Sequence, residues 1–192
     1  FVGDVTVAIG TNAGNPAGTL NGTKTVASAT AGVATFPGLS INKSGAGYTL
    51  NATTTASGVS AAASGGFNIT PAAANHLAFT TQPTSAQAAA GIGPVRVTAL
   101  DQNDNIDTNF TASVTLGITG GTGGANLSGG GATAPGIKTG VTTFASPSVD
   151  LTGTGYQLTA TTGSISATQN SAAFNITAGT ANRTIINNTS KY

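Results

Sequence analysis

The sequence repeats itself at the length of a domain. Residues 4–9 (DVTVAI) match 113–118 (SVTLGI), 32–36 (GVATF) match 140–144 (GVTTF), and 45–52 (GAGYTLNA) match 153–160 (GTGYQLTA). Each copy ends in FNIT, at 67–70 and 174–177, and the offset is about 108 residues. That period is far longer than a solenoid unit and suits a small independent domain. Spacing is kept as well as wording: in both copies the Tyr follows twelve positions after the Phe of the GVATF or GVTTF segment. One complete unit therefore runs over 71–177. Residues 1–70 form the back two-thirds of a preceding unit, without its first two strands, and 178–192 begin a third.

Within the full unit, short alternating segments divided by Gly, Pro and Asn turns read as seven strands. Their inward faces are Leu77 and Phe79; Val95, Val97 and Ala99; Val114, Leu116 and Ile118; Leu127; Val141 with Phe144; Tyr156, Leu158 and Ala160; Phe174 and Ile176. Seven strands in about 107 residues is the immunoglobulin-like number. The expected fold is all-β: tandem immunoglobulin-like antiparallel β-sandwiches, about seven strands per unit.

Composition agrees. Helix surfaces normally carry Glu, Lys, Gln and Arg, whereas this chain has no Glu, only 6% charged residues, and 28 glycines among abundant Thr, Val, Ser and Asn. A net charge of +1 supplies no basic stripe for nucleic acid or acidic lipid. With no cysteine there is neither a disulfide framework nor a thiolate metal site. No apolar run approaches the roughly 18 residues of a membrane-spanning helix, so no membrane insertion is expected. Solubility resting on hydroxyls and amides favours an extracellular or cell-surface location. The chain opens at Phe1 rather than Met, which fits a removed leader or, better in view of the repeat, an excerpt of a longer chain.

Tyr48 and Tyr156 open the sixth strand of their copies, where a tyrosine can bury its ring and return its hydroxyl to upstream backbone as a tyrosine corner. Gly47 and Gly155, immediately before, can take the positive φ such a corner uses.

Residues 76–84 (HLAFTTQPT) and 95–105 (VRVTALDQNDN), with SVTLGI, GVTTF, GTGYQLTA and FNIT, resemble the bacterial Ig-like repeats of large surface adhesins. The resemblance covers nearly the whole chain. It implies a rigid extracellular spacer in a stalk or filament, with no chemistry inside the repeat. Family members often carry Asp-x-x-Gly-Asn after the second strand; here Asp104 stands at the glycine place, and Asp tolerates the left-handed conformation.

Three kinds of functional residue stand out. Asp101, Asn103, Asn105 and Asp107 alternate, with Asp104 between them, and alternating oxygens can wrap calcium. The EF-hand pattern fails, because its glycine and bidentate Glu positions hold Ile106 and Ala112. What remains is a looser calcium site, set against a polar turn of Asx caps, the preferred reading; no other cofactor is expected. Second, ten of the 16 asparagines begin Asn-x-Ser/Thr: Asn21, Asn42, Asn51, Asn68, Asn109, Asn126, Asn175, Asn182, Asn187 and Asn188. Chance would give about four, so a glycoprotein is expected, although strands favour Thr in any case. Third, the orphan segment 181–189 (ANRTIINNT) sits where 74–82 (ANHLAFTTQ) opens the full unit.

Catalysis has little to work with. His76 is the single histidine, no Cys or Glu is present, and the glycine runs at 120–124 and 129–131 lack the Lys-Ser/Thr ending of a phosphate loop. A sugar platform would need exposed aromatics, but Trp is missing and most Phe and Tyr fall at inward positions, so a glycan-binding module is the lesser alternative.

The first copy lacks about five inward aliphatic side chains, worth on the order of 10 kcal/mol at roughly 1.5–3 kcal/mol each. That is comparable with a domain's whole net stability, so residues 1–70 are not expected to fold alone. Either the chain is cut from a longer repeat polymer, which is preferred, or it is a subunit whose C-terminal strand, anchored by Ile185 and Ile186, completes the next molecule. The second arrangement joins neighbouring copies head to tail and yields a fibre.

Overall fold

A computed structural model describes residues 3–27, 32–131, 133–136 and 139–179. Every regular element among them is a strand. The chain divides into two compact units, Phe1–Asn75 with Leu100–Thr108, and His76–Ala99 with Asn109–Tyr192. The division falls a few residues after the repeat boundary and adds the loop of the four alternating Asp and Asn residues to the first unit.

The first unit contains β1 (Val5–Ile9), β2 (Leu20–Asn21), β3 (Thr25–Val26), β4 (Ser40–Ile41), β5 (Gly45–Tyr48), β6 (Leu50–Thr54), β7 (Ala62–Ala63) and β8 (Phe67–Ile69). They pair as β3–β1–β6–β7, β2–β4 and β5–β8. The second unit contains β9 (His76–Thr81), β10 (Ala86–Gln87), β11 (Val95–Leu100), β12 (Thr115–Thr119), β13 (Leu127–Ser128), β14 (Val141–Phe144), β15 (Ser148–Val149), β16 (Gly153–Thr161) and β17 (Phe174–Thr177). One of its sheets runs β10–β17–β16–β12 and the other β14–β11–β9, with β13–β15 as a separate pair. The pairings β11–β14, β12–β16, β13–β15 and β16–β17 are antiparallel and β10–β17 is parallel. The seven expected strands are present in the second unit, and β10 and β15 add two-residue segments to them.

The repeat reappears as identical register. Val7 faces Ala52 on β1 and β6, and Leu116 faces Ala160 on β12 and β16. Tyr48 faces Phe67 and Tyr156 faces Phe174, with a register shift at the same place in both pairings. Leu20 opposite Ile41 repeats as Leu127 opposite Val149.

Alternation explains the second unit's core. Leu77, Val95, Val97 and Ala99 from one sheet, and Leu116, Tyr156, Leu158, Ala160, Phe174 and Ile176 from the other, are all buried, as are Val114 and Phe144. Phe79, Ile118 and Leu127 are only half-buried. The inward placing of Val141 together with Phe144 fails, because two positions three apart cannot share a strand face. Thr142 is the buried one, at 1% exposure, and Val141 is half-exposed. Ile92 and Val149 are fully buried. They escape a reading by alternation because Ile92 lies between strands, where its N–H donates to the Pro147 carbonyl at 2.8 Å, and Val149 sits on a two-residue strand.

The first unit has the same words with less cover. Among its described residues no sheet answers to β14–β11–β9. The GVTTF segment forms β14 by pairing with β11, whereas GVATF, with no partner equivalent to β11, forms no strand. Val33 is 65% exposed and Phe36 half-buried, against 2% for Phe144.

Candidate functional site

Both tyrosine corners form. Tyr48 Oη donates to the Lys43 carbonyl at 2.9 Å and Tyr156 Oη to the Leu151 carbonyl at 3.0 Å, each five residues upstream. Both rings are fully buried and stack on the Phe of FNIT, at centroid distances of 6.1 and 5.9 Å. The glycine before each tyrosine has positive φ, +89° at Gly47 and +75° at Gly155. Its N–H donates to the side-chain oxygen of the FNIT asparagine, Asn68 or Asn175, at 3.0 Å in both copies. The FNIT asparagine is thus part of the corner, and its recurrence opposite GxGY in both copies is the sequence signal for that role. The 120–124 glycine run is explained by the same ring: a Cβ on Gly121 would lie 2.2 Å from Tyr156 Cε1, so the loop can press on the tyrosine only without a side chain.

The acidic loop folds around one carboxylate. Asp101 is 1% exposed. Its Oδ1 accepts from the Asn103 N–H at 2.8 Å and the Asn105 N–H at 3.0 Å, its Oδ2 from the Ala72 N–H at 3.0 Å, and the Asn105 amide donates to both oxygens. Asp107 Oδ2 accepts from the Ala74 N–H at 3.0 Å. Asp104 takes the left-handed conformation expected of it, with φ +57°. Lys43 Nζ donates to the Asn103 carbonyl. The Ser44 N–H donates to Asn105 Oδ1 at 2.9 Å, and the Asn105 amide to the Asn42 carbonyl at 3.0 Å. Burial alone would raise the Asp101 pKa, but the donors from Asn105, Ala72 and Asn103 outweigh it and hold the carboxyl below its ordinary 3.8.

Of the four proposed calcium ligands, Asp101 and Asn105 come together. Asn103 contributes its backbone, and the Asp107 carboxylate turns to Ala74. Among the described residues no three His, Cys, Asp or Glu side chains gather as a cation-holding group. A cation at Asp101 would have to displace N–H donors that already occupy its oxygens. The contacts from Asn42, Lys43 and Ser44 carry no signal in the sequence, because they join positions about 60 residues apart.

Of the sequons, Asn21, Asn51, Asn68, Asn109, Asn126 and Asn175 are exposed and Asn42 is half-buried. Asn126 donates its amide to Asp150 Oδ2 at 2.8 Å. Asn182, Asn187 and Asn188, with Ile185 and Ile186, lie outside the described residues. His76 is half-buried at the first position of β9.

The chain matches no protein-family model and no curated protein sequence. Among solved structures it is similar to FdeC, an Escherichia coli adhesin, at 16% identity and a TM-score of 0.40. The match covers 91% of this chain and 52% of that one, so the chain spans about half the length of the structure it matches.

Proposed function

We propose that this chain is a structural spacer or fibre module of a secreted or cell-surface repeat protein, of the adhesin-stalk type, acting through its shape rather than through chemistry. The observation carrying this reading is the duplication. Register, corner hydrogen bond, ring stacking and Asn-to-Gly contact recur in both units. Serial copies of one sandwich set a length. The exposed sequon asparagines support a glycosylated surface; Asn68 and Asn175 use their side-chain oxygens in the corner.

The test is labelling of the native producer with antibodies raised against this chain. Signal on intact cells or on shed filaments is the expected result, and intact-protein mass should exceed the sequence mass by hexose-sized increments. Signal only after permeabilisation overturns the reading.

A further inference from the structure

The first and last strands of the second unit run side by side, in the same direction and in one register. Strand β9 meets the 166–168 segment at a parallel bridge between Leu77 and Ala167. There the Leu77 N–H donates to the Ser166 carbonyl at 3.1 Å and the Thr168 N–H to the Leu77 carbonyl at 3.2 Å. Strand β10 lies parallel to β17, with Ala86 opposite Ile176 and Gln87 opposite Thr177. The Ala88 N–H closes that pairing on the Thr177 carbonyl at 2.9 Å.

Between these two pairings the chain leaves one sheet for the other, since β9 belongs to β14–β11–β9 and β10 to β10–β17–β16–β12. Pro83, buried in the crossing, has no N–H to give to a ladder. Side chains take over there without loss of register. Gln82 Oε1 accepts from the Ala172 N–H at 2.8 Å and Ser85 Oγ from the Asn175 N–H at 2.9 Å, each across the 90-residue offset that also relates Leu77 to Ala167 and Ala86 to Ile176. Neither side chain is buried, so what each contributes is its hydrogen bond.

A parallel seam has a mechanical consequence. When the chain entering at His76 and the chain leaving after Thr177 are drawn apart, the two segments slide past one another, and the hydrogen bonds between them are strained together. An antiparallel pair pulled at neighbouring ends parts one bond at a time. We propose that this seam makes the second unit a tension-resisting element, with Gln82 and Ser85 carrying tension across the gap between its two backbone pairings. The inference rests on the proposed spacer reading and says what such a spacer withstands.

The test is force spectroscopy on the full chain. The sequence has no cysteine, so thiol handles for optical tweezers can be placed at exposed positions. Ala73→Cys with Ala178→Cys loads the seam in shear. Thr154→Cys with Ala178→Cys instead peels β17 from β16, because Gly153 lies opposite Ile176 in that antiparallel pair. The rupture force is expected to be at least about twofold higher in the first geometry than in the second. Gln82→Ala combined with Ser85→Ala should speed unfolding under constant load about tenfold, in the first geometry only. Equal rupture forces in the two geometries overturn the inference, and that comparison needs neither alanine substitution. A double variant that keeps the near-ultraviolet circular dichroism of the tyrosine corners and weakens both geometries alike, or neither, overturns the role of Gln82 and Ser85. None of these outcomes bears on cell-surface labelling, so the two readings fail separately.

Discussion

Tyr156 concentrates the residue-scale forces in this fold: a buried ring, a stacked Phe, a hydroxyl returned to Leu151 and a glycine loop against its edge. Tyr156→Phe deletes the donor and leaves the Leu151 carbonyl short of a partner. It should cost about 1 kcal/mol, lowering the second unit's melting temperature by several degrees. Gly121→Ala should cost more, about 2–4 kcal/mol, because positive φ and a 2.2 Å approach to the ring act together. Thr142 gives a prediction of opposite sign. Its Oγ1 is buried without a hydrogen-bond partner among the described residues, so Thr142→Val, equal in shape, should stabilise by about 1 kcal/mol in chemical denaturation. Ala89 is exposed at φ +64°, and Ala89→Gly should gain about 0.5–1 kcal/mol by relieving a left-handed alanine.

At the scale of elements, the loop at Leu100–Thr108 behaves as a clasp centred on Asp101. Its folded pKa lies below the unfolded one, so the ionised form is favoured by folding. That contribution is complete above the unfolded value of 3.8 and is lost as pH falls from there through the lower folded value. The stability of the first unit should drop in that acid window. Asp101→Ala should remove the dependence and cost about 2–4 kcal/mol at neutral pH, since several buried N–H donors lose their acceptor; urea melts at a series of pH values read both. Strand existence and the tyrosine corner were legible because alternation, glycine placement and a second copy all point the same way. The phase of β14 was not, since Thr142 is polar and Val141 apolar, and hydrophobicity alone chooses the wrong face. Nor was the clasp, whose partners are far apart in sequence and polar. GVATF carries the wording of a strand without becoming one, because a strand edge without a partner has no ladder to form.

At the scale of the whole molecule, a single sandwich plan occurs twice, with the apolar face of β16 and β17 buried in the second unit and that of β6 and β8 half-exposed in the first. Length and repetition then serve a spacer. The most direct measurement is amide hydrogen exchange, resolved by residue, on this chain. The expected result is that amides of β6, Leu50–Thr54, exchange at least about tenfold faster than their counterparts on β16, Gly153–Thr161. Equal protection of the two strands would contradict it.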